Sequence, residues 1–142
     1  MNNDTGAVVA VQLCPGHRKV TQPVQSAMAV EGVGLEGDVH ALRDSIRQVL
    51  LVEQETLEAL DLSPGSVKEN VSIRGISLMS LMPGQTLQIG DTILKITKPC
   101  GPCLRKEEIR AGLSQQHQGR RGMLARVMKG GVTSRGDSIV PR

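Results

Sequence analysis

Two thiols with two residues between them, in Cys100-Gly101-Pro102-Cys103, stand directly after a predicted strand and before a predicted helix. A helix N-terminus and cationic neighbours lower a thiol's pKa, and Lys98, Arg105 and Lys106 supply the charges here. Such a thiolate can ligate a soft metal, attack a disulfide or carry sulfane sulfur, and the second thiol can resolve a persulfide to a disulfide. Asp38 and His40 close a glycine-rich loop, Glu31-Gly32-Val33-Gly34-Leu35-Glu36-Gly37. A histidine beside a carboxylate is a pairing that moves protons near neutral pH, although the same two residues also suit a turn cap and a structural hydrogen bond. Arg47 opens one predicted strand and Glu69-Asn70 lies inside another. Charges there need partners, so an Arg47–Glu69 bond that shapes a pocket is expected, the alternative being that either side chain points to solvent. Gly119-Arg120-Arg121-Gly122 sets two guanidinium groups in a turn, which serves either as a bidentate phosphate clamp or as an exposed basic loop.

Two further readings of the cysteines stay open. The tetrapeptide is identical to the dithiol of thioredoxin, which places it early in the chain, beside a Trp and with a later proline opposite the thiols. Here it begins at residue 100 of 142, with no Trp in the chain and no proline between Cys103 and Pro141. A zinc site would need four ligands, and besides the late pair the candidates are Cys14, His17, His40 and His117. Cys14 and His17 form a second close pair, but with Pro15-Gly16 between them they match no known pattern with the late cysteines.

The elements that must position these groups are short. Residues 7–13 read as a buried strand ending in a Cys14-Pro15-Gly16 turn, and residues 24–30 form a briefer mixed run. A strand over 47–52 leads into a helix over 53–60, stopped by Ser63-Pro64-Gly65. Residues 67–73 alternate as a strand whose apolar register Glu69 breaks. Strands over 86–89 and 92–97 flank Gly90-Asp91, a hairpin cue in reversed order. A short helix is expected over 104–110, a strand over 123–128 and a last strand after Gly136-Asp137. Seven or eight short strands with about two short helices predict a mainly β, α+β fold, a small barrel or curled sheet forming one domain over residues 1–142.

Composition agrees with a folded core of unusual make-up: 39% of residues are hydrophobic, yet Phe, Tyr and Trp are all absent. Aliphatic side chains must fill the interior, and an aromatic platform for single-stranded nucleic acid is excluded. The formal charge of +3 is spread along the chain without a block, so bulk nucleic-acid binding is not indicated, whereas a small anionic ligand is. No membrane-length apolar run and no signal-peptide pattern occur, so a cytoplasmic location without membrane contact is expected. Three cysteines, an odd number, argue against a disulfide framework.

The order of motifs is similar to that of the MOSC family, the domain at the C-terminus of molybdenum cofactor sulfurases that also occurs as small single-domain bacterial proteins. The matching pieces are Gly34-Leu35-Glu36-Gly37-Asp38-Val39-His40, Ile46-Arg47-Gln48-Val49, Glu69-Asn70-Val71-Ser72, Leu87-Gln88-Ile89-Gly90, Lys98-Pro99-Cys100-Gly101-Pro102-Cys103, Gly119-Arg120-Arg121-Gly122 and Lys129-Gly130-Gly131 with Gly136-Asp137. Each is weak alone, and together they run in order over most of the chain.

The resemblance implies a β-barrel-like fold with a cleft for a sulfur-bearing or molybdopterin-type ligand and one reactive cysteine, in a Pro-x-x-Pro-Cys arrangement that places Cys103 in that role. Cys103 is thereby the implied metal ligand and Cys100 an extra thiol. Cys103, Cys100, His40 and Asp38 form the implied catalytic set, and Arg47, Glu69, Asn70, Lys98, Arg120 and Arg121 the cofactor-binding set, with Arg120 in register with the family pattern. The implied function is to bind molybdenum cofactor, or to carry sulfane sulfur to a molybdenum or metal–sulfur centre. The family is also associated with pyridoxal phosphate. This chain shows no pyridoxal phosphate domain, so it would depend on a partner cysteine desulfurase or molybdoenzyme. Alternatives are a molybdenum-cofactor-dependent reductase, which would need an electron donor because no flavin or iron–sulfur motif is visible, a thiol–disulfide oxidoreductase, and a non-catalytic ligand-binding domain.

Overall fold

The computed structural model describes residues 5–16, 19–99 and 122–142. Among these, eleven strands, one α-helix and one 3-10 turn follow in the order β1 (Gly6–Leu13), β2 (Gln22–Val24), β3 (Ser26–Val30), β4 (Gly34–Leu35), β5 (Val49–Glu53), α1 (Gln54–Ala59), β6 (Val71–Arg74), the 3-10 turn Leu78–Ser80, β7 (Thr86–Ile89), β8 (Thr92–Pro99), β9 (Met123–Lys129), β10 (Gly131–Ser134) and β11 (Ser138–Pro141). The expected helix over 104–110 lies outside the described residues.

Seven strands close a barrel in the order β1-β11-β7-β8-β9-β5-β6, with β6 returning to β1 and β2 hydrogen-bonded to the outer end of β1. A smaller sheet, β10-β3-β4, carries the glycine loop. Closure removes exposed sheet edges, which a short-stranded open sheet would leave for aggregation. Only β5 and β6 pair in parallel among the described strands, and α1 lies in the connection that such a pair requires.

Alternation at period two fills the barrel. Leu87 and Ile89 on β7 and Leu94 and Ile96 on β8 turn inward to meet Val11, Leu51, Ile73 and Ile139, all of them buried. Burying each such side chain contributes about 1.5–3 kcal/mol, so γ- and β-branched aliphatics suffice where no aromatic is present. Strand β5 is apolar on both faces because Val52 packs outward with Leu57, Leu60 and Val67 beneath α1 while Leu51 points into the barrel. The Gly90-Asp91 hairpin forms as read, with Gly90 at φ +56° and Ile89 paired to Thr92.

Two strand starts differ from the sequence reading. Strand β5 begins at Val49, so Arg47 sits in the turn ahead of it, its N–H bonded to Ser45 Oγ at 3.0 Å. Strand β6 begins at Val71, because Lys68 takes a left-handed conformation (φ +66°) and Glu69 bends back to accept the Gly65 N–H. The break that Glu69 makes in the alternation marks a turn before the strand. No described helix is long and apolar enough to cross a membrane.

Candidate functional site

The chain leaves the barrel at the end of β1 and enters it again at the start of β6, and the segment after β4, which ends the glycine loop, meets both points through Val39 and Asp38. Gly34, at φ +135°, lets that loop approach closely: a Cβ there would stand 3.1 Å from Ala41 Cα and 3.3 Å from Gln48 Cβ. The Val39 N–H donates to the Cys14 carbonyl at 2.7 Å, joining the loop to the end of β1.

Asp38 is the hub. Its Oδ1 accepts the Cys14 N–H at 2.7 Å and Asn70 Nδ2 at 2.9 Å, and its Oδ2 accepts the His40 N–H at 3.0 Å and lies 3.2 Å from His40 Nδ1. The Asp38 side chain is fully buried, whereas that of His40 is 38% exposed. Burial works to raise the Asp38 pKa, but donation from the His40 ring and from the Cys14 and His40 N–H groups prevails and holds it below the usual carboxylate value. An ionised carboxylate can only accept, so His40 Nδ1 carries the hydrogen in this contact and, in the neutral ring, the lone pair falls on Nε2.

Asn70 is engaged within the protein among the described residues. It is buried, gives Nδ2 to Asp38 and accepts the Leu50 N–H on Oδ1 at 2.9 Å, tying β5 to the glycine loop. Gln48 does comparable work at the other side: Nε2 donates to the Gly32 and Leu42 carbonyls at 2.9 and 3.1 Å, and Oε1 accepts the Val127 N–H at 2.9 Å.

The Arg47–Glu69 bond expected from the sequence does not form among the described contacts. Arg47 is exposed, while Glu69 is wholly buried, its Oε2 accepting the Gly65 N–H at 2.6 Å and Ser72 Oγ at 2.8 Å. Backbone and hydroxyl donors thus replace the guanidinium, Oε1 has no hydrogen-bond partner among the described residues, and burial raises the pKa of Glu69. Lys98 is half-buried near the end of β8. Cys100, Cys103, Arg105, Lys106, His117, Arg120 and Arg121 lie outside the described residues, as does His17.

Cys14, which the sequence offers with His40 only among candidate zinc ligands, lies beside Asp38 and His40. The thiol is buried and its Sγ touches the Lys68 carbonyl at 3.6 Å. Burial first, then the Asp38 charge, pushes its pKa up to about 11, so Cys14 is no thiolate nucleophile at neutral pH. Gln48 was likewise legible only as a polar residue ahead of an apolar run.

One row of backbone pairing relates this cluster to the end of β8. Pro99 pairs with Met123, Met123 with Leu51, Leu51 with Val71 and Val71 with Val11. Val71 follows Asn70, and Cys100 follows Pro99 in sequence. With strands about 4.8 Å apart, Pro99 lies roughly 15 Å from Val71 around the wall.

The MOSC domain family model matches residues 37–140. No curated protein matches the chain. Among solved structures, the YuaD protein of Bacillus subtilis superposes with a TM-score of 0.81 at 20% identity, covering 95% of this chain and 94% of its own. YiiM from Geobacillus stearothermophilus gives 0.78 at 15% identity, covering 96% and 75%, and YiiM from Escherichia coli gives 0.70 at 19% identity, covering 96% and 69%. At these identities the three show a shared barrel fold. With a family match that begins at Gly37, takes in the Asp38–His40 pair and runs on through β5 to β10 into β11, the chain belongs to the MOSC domain family.

Proposed function

We propose that this chain carries sulfane sulfur on Cys103 and delivers it to a molybdenum or metal–sulfur centre, with the Asp38–His40 pair exchanging the proton. The observation that carries the reading is that pair: a buried, ionised carboxylate, fixed by three residues, holds a partly exposed imidazole at 3.2 Å. The raised pKa of Cys14 supports assigning the thiol chemistry to the late pair, and the family pattern favours Cys103 within it.

In this reading the Cys103 thiolate takes the outer sulfur of a desulfurase persulfide, leaving the desulfurase thiol behind. Attack by the Cys100 thiolate on the Cys103 sulfur then forms the Cys100–Cys103 disulfide and expels hydrosulfide, with no net change in oxidation state across the three sulfurs. His40 gives or takes the proton on the leaving sulfur, and Asp38 keeps its Nδ1–H oriented.

The family association supports a second reading, in which the chain holds molybdenum cofactor itself. The residues present fit such a group in part: His40 offers an imidazole at the surface, and Lys98 a cation on the strand that leads to Cys100. Arg120 and Arg121 would hold its phosphate, and Cys103 its metal. The cofactor would supply a redox-active metal–sulfur centre. Expression in a host that makes the cofactor, followed by molybdenum analysis, separates the two: near-stoichiometric molybdenum lost in Cys103→Ser supports cofactor binding, and a molybdenum-free chain that accepts sulfur from a desulfurase supports carriage.

A further inference from the structure

We propose that Cys14, Asp38 and His40 form a binding site for a borderline-soft divalent cation of the zinc type, separate from the thiols of Cys100 and Cys103. The three residues offer a thiol sulfur, a carboxylate oxygen and an imidazole nitrogen that all lie within 4.8 Å of one another. These are the donor types that zinc takes, and three protein ligands leave its fourth position open. The 3.2 Å between His40 Nδ1 and Asp38 Oδ2 matches the edge of a tetrahedron whose ligands stand about 2.0–2.1 Å from the ion, which is roughly 3.3 Å.

The surroundings supply the orientation that a ligating carboxylate needs. Cys14 N–H and Asn70 Nδ2 both bind Oδ1, which directs Oδ2 towards His40. The Val39–Cys14 backbone bond of 2.7 Å fixes the thiol's strand end against the loop that carries the other two ligands. The thiol has weak contacts to give up, one to the Lys68 carbonyl at 3.6 Å and one to the Asp38 carboxylate, which itself becomes a ligand of the same ion. Binding replaces the Cys14 S–H bond by a sulfur–metal bond and releases one proton to solvent, while the His40 hydrogen shifts from Nδ1 to Nε2, with no further net proton release, as the Nδ1–Asp38 Oδ2 hydrogen bond gives way to the ion. An ion here would block proton exchange at His40, but the site does not depend on that assignment.

Cobalt tests the site without any assay of activity. In a Cys100→Ser, Cys103→Ser chain, Cys14 is the sole thiol. Titration with Co²⁺ alone is expected to give a thiolate-to-cobalt charge-transfer band and tetrahedral visible bands that saturate at one ion per chain and vanish on adding Zn²⁺. A further Cys14→Ser change should abolish the charge-transfer band, and His40→Gln should weaken Co²⁺ by about tenfold or more, with far-ultraviolet circular dichroism unaltered. As a fold-independent check, Zn²⁺ should raise the Tm of the chain that keeps Cys14 and not that of the Cys14→Ser chain. No cobalt binding, binding without the charge-transfer band, or an equal Tm rise in both chains overturns the proposal.

Discussion

Asn70 donates from Nδ2 to Oδ1 of Asp38 at 2.9 Å across 32 residues of sequence, and with its own Oδ1 it accepts the Leu50 N–H. One buried amide therefore sets both the start of a barrel strand and the rotamer of the carboxylate that holds His40.

Asn70→Ala should cost about 2–4 kcal/mol in urea denaturation, because it leaves a buried N–H and a charged acceptor short of partners. Asn70→Asp keeps an acceptor for Leu50 but sets a second carboxylate against Asp38. Its stability relative to the parent should fall as pH rises from 4 towards about 7, as like charges accumulate.

Gln48→Leu keeps volume and removes three hydrogen bonds, to Gly32, Leu42 and Val127. A loss of about 2–4 kcal/mol is expected, with hydrogen exchange at the Val127 amide accelerated beyond that of neighbouring β9 amides. Uniform acceleration across β9 would show that the side chain stabilises the barrel without clamping the loop.

Glu69 gives a pH signature. Its folded pKa is raised by burial above the 4.5 of an exposed glutamate, so its protonated form favours the fold. That stability is fully present below the unfolded value and is lost as pH rises through the folded one. Glu69→Gln, which can still accept from Gly65 and Ser72, should gain in stability relative to the parent as pH rises above the ordinary glutamate value of 4.5. A difference that does not change with pH would contradict a carboxyl whose pKa burial has raised.

Cys14 should be chemically quiet. A pKa of about 11 against an ordinary 9.0 makes its thiolate about a hundredfold scarcer at pH 8. In the metal-free Cys100→Ser, Cys103→Ser chain, iodoacetamide should label Cys14 at least about a hundredfold more slowly when folded than in urea.

How much of this the sequence revealed depends on the physical range of each signal. Strands β7 and β8 and their hairpin were readable because alternation and Gly90-Asp91 act over a few residues. The barrel followed from strand number and spacing. The Asp38–His40 contact spans two residues, and the pair was visible as a motif. The partners of that pair were not: Cys14 and Asn70 reach Asp38 from 24 and 32 residues away, a tertiary relationship with no local periodicity. The expected Arg47–Glu69 bond failed for a related reason. Whether a buried carboxylate is met by a guanidinium or by the N–H of Gly65 depends on a left-handed residue, Lys68, that nothing in its type announces.

The assignment of sulfur chemistry to Cys103 is tested most directly by intact-mass and peptide mass spectrometry after incubation with a cysteine desulfurase and cysteine. The account predicts the added mass of one sulfur atom on the Cys103 peptide in the parent and in Cys14→Ser, and none in Cys103→Ser. Sulfur found on Cys14, or on neither Cys100 nor Cys103, would contradict it.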